Sequence, residues 1–213
     1  MVSISIAGLD SGLNEKLPAC LAPVFIPLFK DLLYLSVKWH EYRVLYGDER
    51  SVDLLNRTAG HLFKVVQDVL WDDILLHITR LVSPEKSMGK SNLTLLALPA
   101  LIDDPELSCQ ILQAVEKCKS TCAFTVSHRN KRLAHHDLAM ALSNSEKDLD
   151  GISRSQIDSV IDEMGRIANL IYGFYLNSYF DLPPASNGGA EVLLWTLEGR
   201  FDQSQAGSTS GIS

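Results

Sequence analysis

The chain has 213 residues and a mass of 23.5 kDa, with 46% hydrophobic and 21% charged residues, enough to bury one good core within the usual range of a single domain. Its formal net charge of -7 and sequence pI near 5.3 exclude a broad basic face that grips nucleic acid by counterion release, because such binding needs many Lys and Arg on one surface. Any contact with nucleic acid must be local.

The opening MVSISIAGLDSGL lacks the positive segment of a signal peptide. The early apolar run LAPVFIPLFKDLLYLSV is interrupted by Lys30 and Asp31 before it could span a bilayer. A soluble, cytoplasmic protein without membrane contact is expected. From Pro23 to Tyr46 the apolar positions Phe25, Ile26, Phe29, Leu32, Leu33 and Val37 form one helical stripe, Pro27 fits a first turn, and Gly47 with Asp48 ends the helix. A second helix is expected from Ser51 to about Leu81, with Leu62, Val65, Val66, Val69 and Leu70 on one side and a bend near Gly60. It stops at SPEKSMGKSN.

Asn92 then suits the N-cap of a short helix through TLLALPAL, and Pro105 suits the first turn of a long helix through CQILQAVEKCKSTCAFTVSHRNKRLA. SNSEKDLDGIS reads as a loop. Ser153 with Gln156 resembles a capping box, followed by the stripe Ile157, Val160, Ile161, Met164, Ile167, Ile171 and Phe174. A last short helix, GGAEVLLWTLEGRF, precedes a small, polar tail. Sustained period-two alternation is missing, so the predicted fold class is all-α, an antiparallel up-and-down bundle of four long helices with short extra ones. Residues 1–22 read as an N-terminal extension, 23–200 as the bundle and 201–213 as a disordered tail.

Cys20, Cys109, Cys118 and Cys122 contain no CxxC pair and are expected to be reduced core thiols; Cys118 and Cys122, at i,i+4, read as buried side chains rather than metal ligands. His40, His61 and His77 stand singly on the first two helices and read as structural. Asp73 and Arg80 suit a helix face or a salt bridge, and Trp39 and Trp71 suit core or interface packing. Walker, GxSxG and HExxH patterns do not occur.

The stretch HRNKRLAHHDL places His128, His135 and His136 beside Arg129, Lys131 and Arg132. On an ideal helix Arg129 and His135 lie about 120° apart around the axis and about 9 Å along it, so they do not share a face. Both tips reach one phosphate only if the helix unwinds near Leu133 to His136 or a second copy supplies the missing partner. Arg132 and His136 are i,i+4 neighbours. The bland alternative is a solvated charge run that complements the helix macrodipole.

The order Arg129, Asn130, four residues, His135 resembles the Arg-polar-x4-to-6-His signature of the HEPN superfamily of nucleotide-binding helical bundles, which carry it late in a long helix. LWDDILLHITRLVSPEKSMGKSNLTLLAL followed by HRNKRLAHHD resembles the abortive-infection U-type (AbiU-like) branch. That branch pairs an Arg-Leu-x-x-Pro segment (here Arg80, Leu81, Pro84) and an Asn-Leu-Thr/Ser-Leu segment (Asn92 to Leu95) with an Arg-Asn-Lys-x-x-Ala-His motif (Arg129 to His135). Ser83 stands where many relatives carry Asp.

The resemblance implies a metal-independent endoribonuclease that uses no cofactor, acts on RNA in a dimeric cleft, and serves phage defence or a toxin-antitoxin pair, with an antitoxin protein as possible partner. RNA carries its own nucleophile, so such a site must take the 2′-OH proton, stabilise a dianionic phosphorane and help the 5′-oxygen leave. His135 suits the proton transfers, and Arg129 offers a fork of donors to phosphoryl oxygens. Asn130 orients a neighbour or the substrate, while Lys131, Arg132 and His136 hold flanking phosphates. The competing reading is a non-catalytic module in which the same residues bind a nucleotide or an acidic partner surface.

Overall fold

The computed structural model describes residues 7–128, 151–182 and 188–209. The fold class is all-α. Helices α1 (Ala7–Lys16), α2 (Ala22–Tyr46) and α3 (Glu49–Leu81) are followed by a small antiparallel pair, β1 (Lys86–Ser87) and β2 (Lys90–Ser91). Two 3-10 turns, Leu95–Ala97 and Pro99–Leu101, lead into α4 (Pro105–Thr121) and α5 (Ala123–His128). Then come α6 (Arg154–Leu176) and α7 (Ala190–Thr209). No helix among the described residues is long and apolar enough to cross a membrane.

The chain divides into two compact units, one formed by the residues up to Leu35 with Leu75–Leu182, the other by Ser36–Ile74 with the residues from Pro183 on. In the first, α6 supplies the main apolar face. Ile157, Val160, Ile161, Met164, Ile167 and Ile171 are all buried, as the stripe predicts. They pack against α4, whose Leu107, Ile111, Ala114, Val115 and Cys118 are buried. Phe174, the last member of the predicted stripe, is exposed instead. The start of α6 is the expected capping box. Ser153 Oγ accepts from the Gln156 amide at 3.2 Å, and Gln156 Oε1 accepts from the Ser153 amide at 2.7 Å. Phe29 of α2 meets Phe180 edge-on at 4.6 Å between centroids, and both rings contact Tyr172. Asn169 fixes the returning chain, donating to the Phe180 carbonyl and accepting from its amide.

The second unit is aromatic. Trp39 stacks on Tyr42, Trp71 packs against both rings, and the Tyr46 hydroxyl donates to the Phe63 carbonyl at 2.9 Å. Burial, with smaller contributions from Tyr42 and Asp68, pushes the Tyr46 phenol up to about 12. Lys38 pairs with Asp73. Glu41 accepts from the Ala190 amide at the start of α7, and a Cβ on Gly189 would overlap that carboxylate.

Several expectations change in detail. The break expected near Gly60 falls at Ala59, the one residue inside α3 with non-helical backbone angles. Leu62, Val65 and Val69, read as a buried stripe, are 59, 60 and 63% exposed. The face of α3 bearing Trp71 packs on α2, so the stripe points away from that contact. The predicted long helix breaks at Cys122 into α4 and α5. There the Ser120 and Thr121 hydroxyls bond to the Lys117 carbonyl and the Thr125 hydroxyl bonds to the Cys122 carbonyl, local bonds that compete with a continuous ladder. The last helix continues to Thr209 through residues assigned to a disordered tail; once a helix has started, each added residue gains a hydrogen bond at little cost.

Replacing Ser153 by Ala removes the oxygen that receives the Gln156 amide. The variant should lose about 1 kcal/mol of stability, measured by thermal unfolding followed by circular dichroism, with folded-state helicity unchanged. An unshifted midpoint would deny the capping box its role.

Candidate functional site

The residues singled out from sequence, Arg129, Asn130, Lys131, Arg132, His135 and His136, lie outside the described residues, as does the expected loop SNSEKDLDGIS up to Asp150. The structure describes the approach to them. Helix α5 runs to His128, immediately before Arg129 in the chain, and both Thr125 and His128 are buried. Its root is the turn at Cys122, whose amide donates to the Cys118 carbonyl at 2.9 Å.

The other two segments of the resemblance meet in space. Leu81 ends α3, and its carbonyl accepts from the fully buried Thr94 hydroxyl at 3.0 Å. The same Thr94 oxygen receives the Leu96 amide at 3.3 Å, so Thr94, not Asn92, is the N-cap of the first 3-10 turn. Asn92 instead closes the hairpin: its side chain donates to the Pro84 carbonyl at 2.7 Å and to Ser87 Oγ at 3.0 Å, and its amide donates to the Glu85 carbonyl at 2.8 Å. The expected break at SPEKSMGKSN is thereby an ordered hairpin, turning through Met88 and Gly89 at φ +50° and +79°. Strands of two residues carry no readable alternation, which is why the pattern missed them. Ser83 donates to the Thr79 carbonyl at 2.9 Å and so closes the last turn of α3.

Arg80, the first residue of that segment, points elsewhere. Its Nη2 donates to Asp31 Oδ2 on α2 at 3.1 Å. The same carboxylate oxygen lies 3.9 Å from Nε2 of the buried His77, one turn earlier on α3. Tyr34, one turn after Asp31, sets its ring 6.3 Å from the His77 imidazole, tilted by 53°. Two i,i+3 pairs on facing helices thus make one polar cluster. The expected Asp73–Arg80 face is not the pair that forms; each residue finds a partner on α2 instead. Asp31 and Tyr34 escaped the sequence reading, since only the interrupted apolar run at Lys30 and Asp31 marked that turn. His77 and Trp39 are buried as expected for structural residues.

A second charged group joins α4 to α6. Glu163 accepts from Lys117 and, at 3.1 Å, from Arg166. Burial alone would raise its carboxyl, but the hydrogen bonds and charges of Lys117 and Arg166 outweigh it and hold the group below the usual carboxylate range. This bridge ties α4 to α6.

Against known proteins, a family model described as AbiU2, of the HEPN type, matches residues 25–191. No curated protein and no solved structure matches.

The cysteines divide rather than sharing one fate. Cys20 and Cys109 are exposed, whereas Cys118 and Cys122 are buried with their sulfurs 3.9 Å apart. The hydrogen bond to Cys118, then burial, pushes the Cys122 thiol far up. Among the described residues no cluster of His, Cys, Asp and Glu is arranged to hold a metal. A chromogenic thiol reagent should therefore titrate two of the four thiols in the native protein and the other two only after unfolding. Fast reaction of a Cys118→Ser, Cys20→Ser, Cys109→Ser chain would contradict this burial.

Proposed function

The chain belongs to the AbiU2 family of HEPN domains, and from that membership we propose that it is a metal-independent endoribonuclease of a phage-defence or toxin-antitoxin system. The observation that carries the reading is the family match over residues 25–191, which contains Arg129, Asn130 and His135 in the order and spacing of the HEPN signature. In this proposal His135 accepts the proton of an RNA 2′-OH as the oxygen attacks the adjacent phosphorus. Arg129 takes the charge that builds on the non-bridging oxygens, and Asn130 orients one of them. The 5′-oxygen departs with the proton that His135 took up, leaving a 2′,3′-cyclic phosphate and a 5′-OH. Lys131, Arg132 and His136 hold neighbouring phosphates. The substrate is cytoplasmic RNA, and an antitoxin protein would act by covering these residues.

A homodimer belongs to the same proposal. Arg129 and His135 diverge by about 120° on an ideal helix, so two copies can supply what one chain holds apart. The exposed Leu62, Val65 and Val69 of α3 support a second copy as well, because a row of apolar side chains at three- and four-residue spacing suits burial against another helix.

Purified protein incubated with RNA in EDTA should yield cyclic-phosphate ends, and Arg129→Ala or His135→Ala should reduce cleavage by about a thousandfold or more while the helical spectrum is kept. Binding of RNA without any turnover would leave a non-catalytic module in place of the nuclease. Light scattering should give twice the chain mass at high micromolar concentration, and Val65→Glu should shift it toward the monomer; a wild-type monomer would remove the dimer.

A further inference from the structure

We propose that Tyr34 and Arg80, held by Asp31 and His77, form a contact site for one unpaired nucleotide of a single-stranded RNA, with Tyr34 stacking on the base and Arg80 engaging its phosphate. The proposal rests on the RNA reading of the preceding subsection and adds a place where the strand is held.

The arrangement has a rigid floor and an accessible rim. His77 is only 4% exposed, and its ring backs both the Asp31 carboxylate and the Tyr34 ring. Above it, Tyr34 is 59% exposed and the Arg80 side chain is 60% exposed, while Asp31 is half as open. Leu76, one turn before Arg80 on α3, is also exposed. An aromatic ring on α2 and a guanidinium on α3 thus flank one imidazole–carboxylate pair, with an exposed aliphatic side chain one turn before the guanidinium. Single-stranded nucleic acid is bound by this combination, since every base has a face to stack and every nucleotide brings a phosphate.

Asp31 explains why the site suits an RNA strand better than a free anion. Its carboxylate fixes the guanidinium through one nitrogen, so Arg80 is oriented before the ligand arrives, and a planar fork has further donors to offer. The same carboxylate repels a small anion that approaches without stacking. A nucleotide gains on the tyrosine what it loses on the aspartate, and a ribose hydroxyl brings a donor that a carboxylate can accept. On a chain with net charge -7, a pre-oriented cation is what a phosphate needs, because the overall field gives it no help.

The test uses the full chain in a His135→Ala background, so that cleavage cannot consume the probe, and a fluorescein-labelled RNA of about ten nucleotides read by anisotropy. Arg80→Gln should weaken binding about tenfold and reduce the salt slope of log K by roughly 0.7, the share of one phosphate on a single strand. Tyr34→Ala should weaken it several-fold, with Tyr34→Phe restoring it. Asp31→Asn should strengthen it, because the mutation removes the opposing charge and keeps the side-chain volume.

Thermal midpoints are read on the same samples. If the cluster is a helix-to-helix ion pair and nothing more, Arg80→Gln and Asp31→Asn lower the midpoint together and leave binding and salt slope alone, and the proposal is overturned. A His135→Ala chain that binds no RNA at all overturns this site, and a wild type that makes no cyclic-phosphate ends overturns the ribonuclease reading. Cyclic-phosphate production by the wild type with unchanged binding in Arg80→Gln, Tyr34→Ala and Asp31→Asn overturns this site alone.

Discussion

The contact between α4 and α6 is the constraint on which the first unit depends. Six branched or long apolar side chains on one face of α6, Ile157, Val160, Ile161, Met164, Ile167 and Ile171, are each withdrawn from water. At about 1.5–3 kcal/mol for each such side chain, no hydrogen bond or ion pair in the unit rivals their sum. The face is narrow, so α4 must present its own stripe, Leu107 to Cys118, at the matching spacing. That requirement fixes where α4 ends. The turn at Cys122 then sets the course of α5, the last element before Arg129.

Three of the hydroxyls buried with this core donate to backbone carbonyls. Thr79 donates to the Leu75 carbonyl, Thr94 to that of Leu81 and Thr125 to that of Cys122. Each hydroxyl satisfies itself and, in the case of Thr94, joins the end of α3 to the start of the next turn. The Arg-Leu-x-x-Pro and Asn-Leu-Thr-Leu segments therefore divide by role. Leu81, Pro84, Asn92 and Thr94 make the hairpin and its anchor, bonding to backbone groups and, for Asn92, to Ser87 Oγ as well. Arg80 alone turns its charge outward, toward α2.

How much of this could be read beforehand follows from the range of each interaction. The capping box of Ser153 and Gln156 spans three residues, and the α6 stripe repeats within one helix, so both were legible. Leu62, Val65 and Val69 were legible as a stripe but not as a surface, because periodicity states that a face is apolar and says nothing of what covers it. The break at Cys122 depends on three hydroxyls choosing carbonyls over solvent, a choice propensity does not settle. Asp31 and Arg80 are 49 residues apart, and pairing at that distance is a property of the packed helices alone. Of the candidate site, the sequence carries Arg129, Asn130 and His135 in full as a pattern, while their geometry falls outside the described residues.

Charge then limits the way an acidic chain can meet a polyanion. At physiological ionic strength the field of the net charge of -7 decays over about 8 Å, so a strand at longer range feels little, and at shorter range it feels whichever side chains stand beside it. Local cations must therefore be held in place, because a mobile lysine in a repelling field would lose its ligand to water and counterions. In the proposed function the net charge of -7 also bears on specificity. Duplexes and random polyanions, which offer phosphates without exposed bases, gain too little from a few fixed cations to overcome the repulsion, whereas an unpaired strand adds stacking that salt does not screen. In the proposed function a net negative charge acts as a filter: it disfavours binding driven by counterion release and leaves binding that depends on the shape and the bases of the strand.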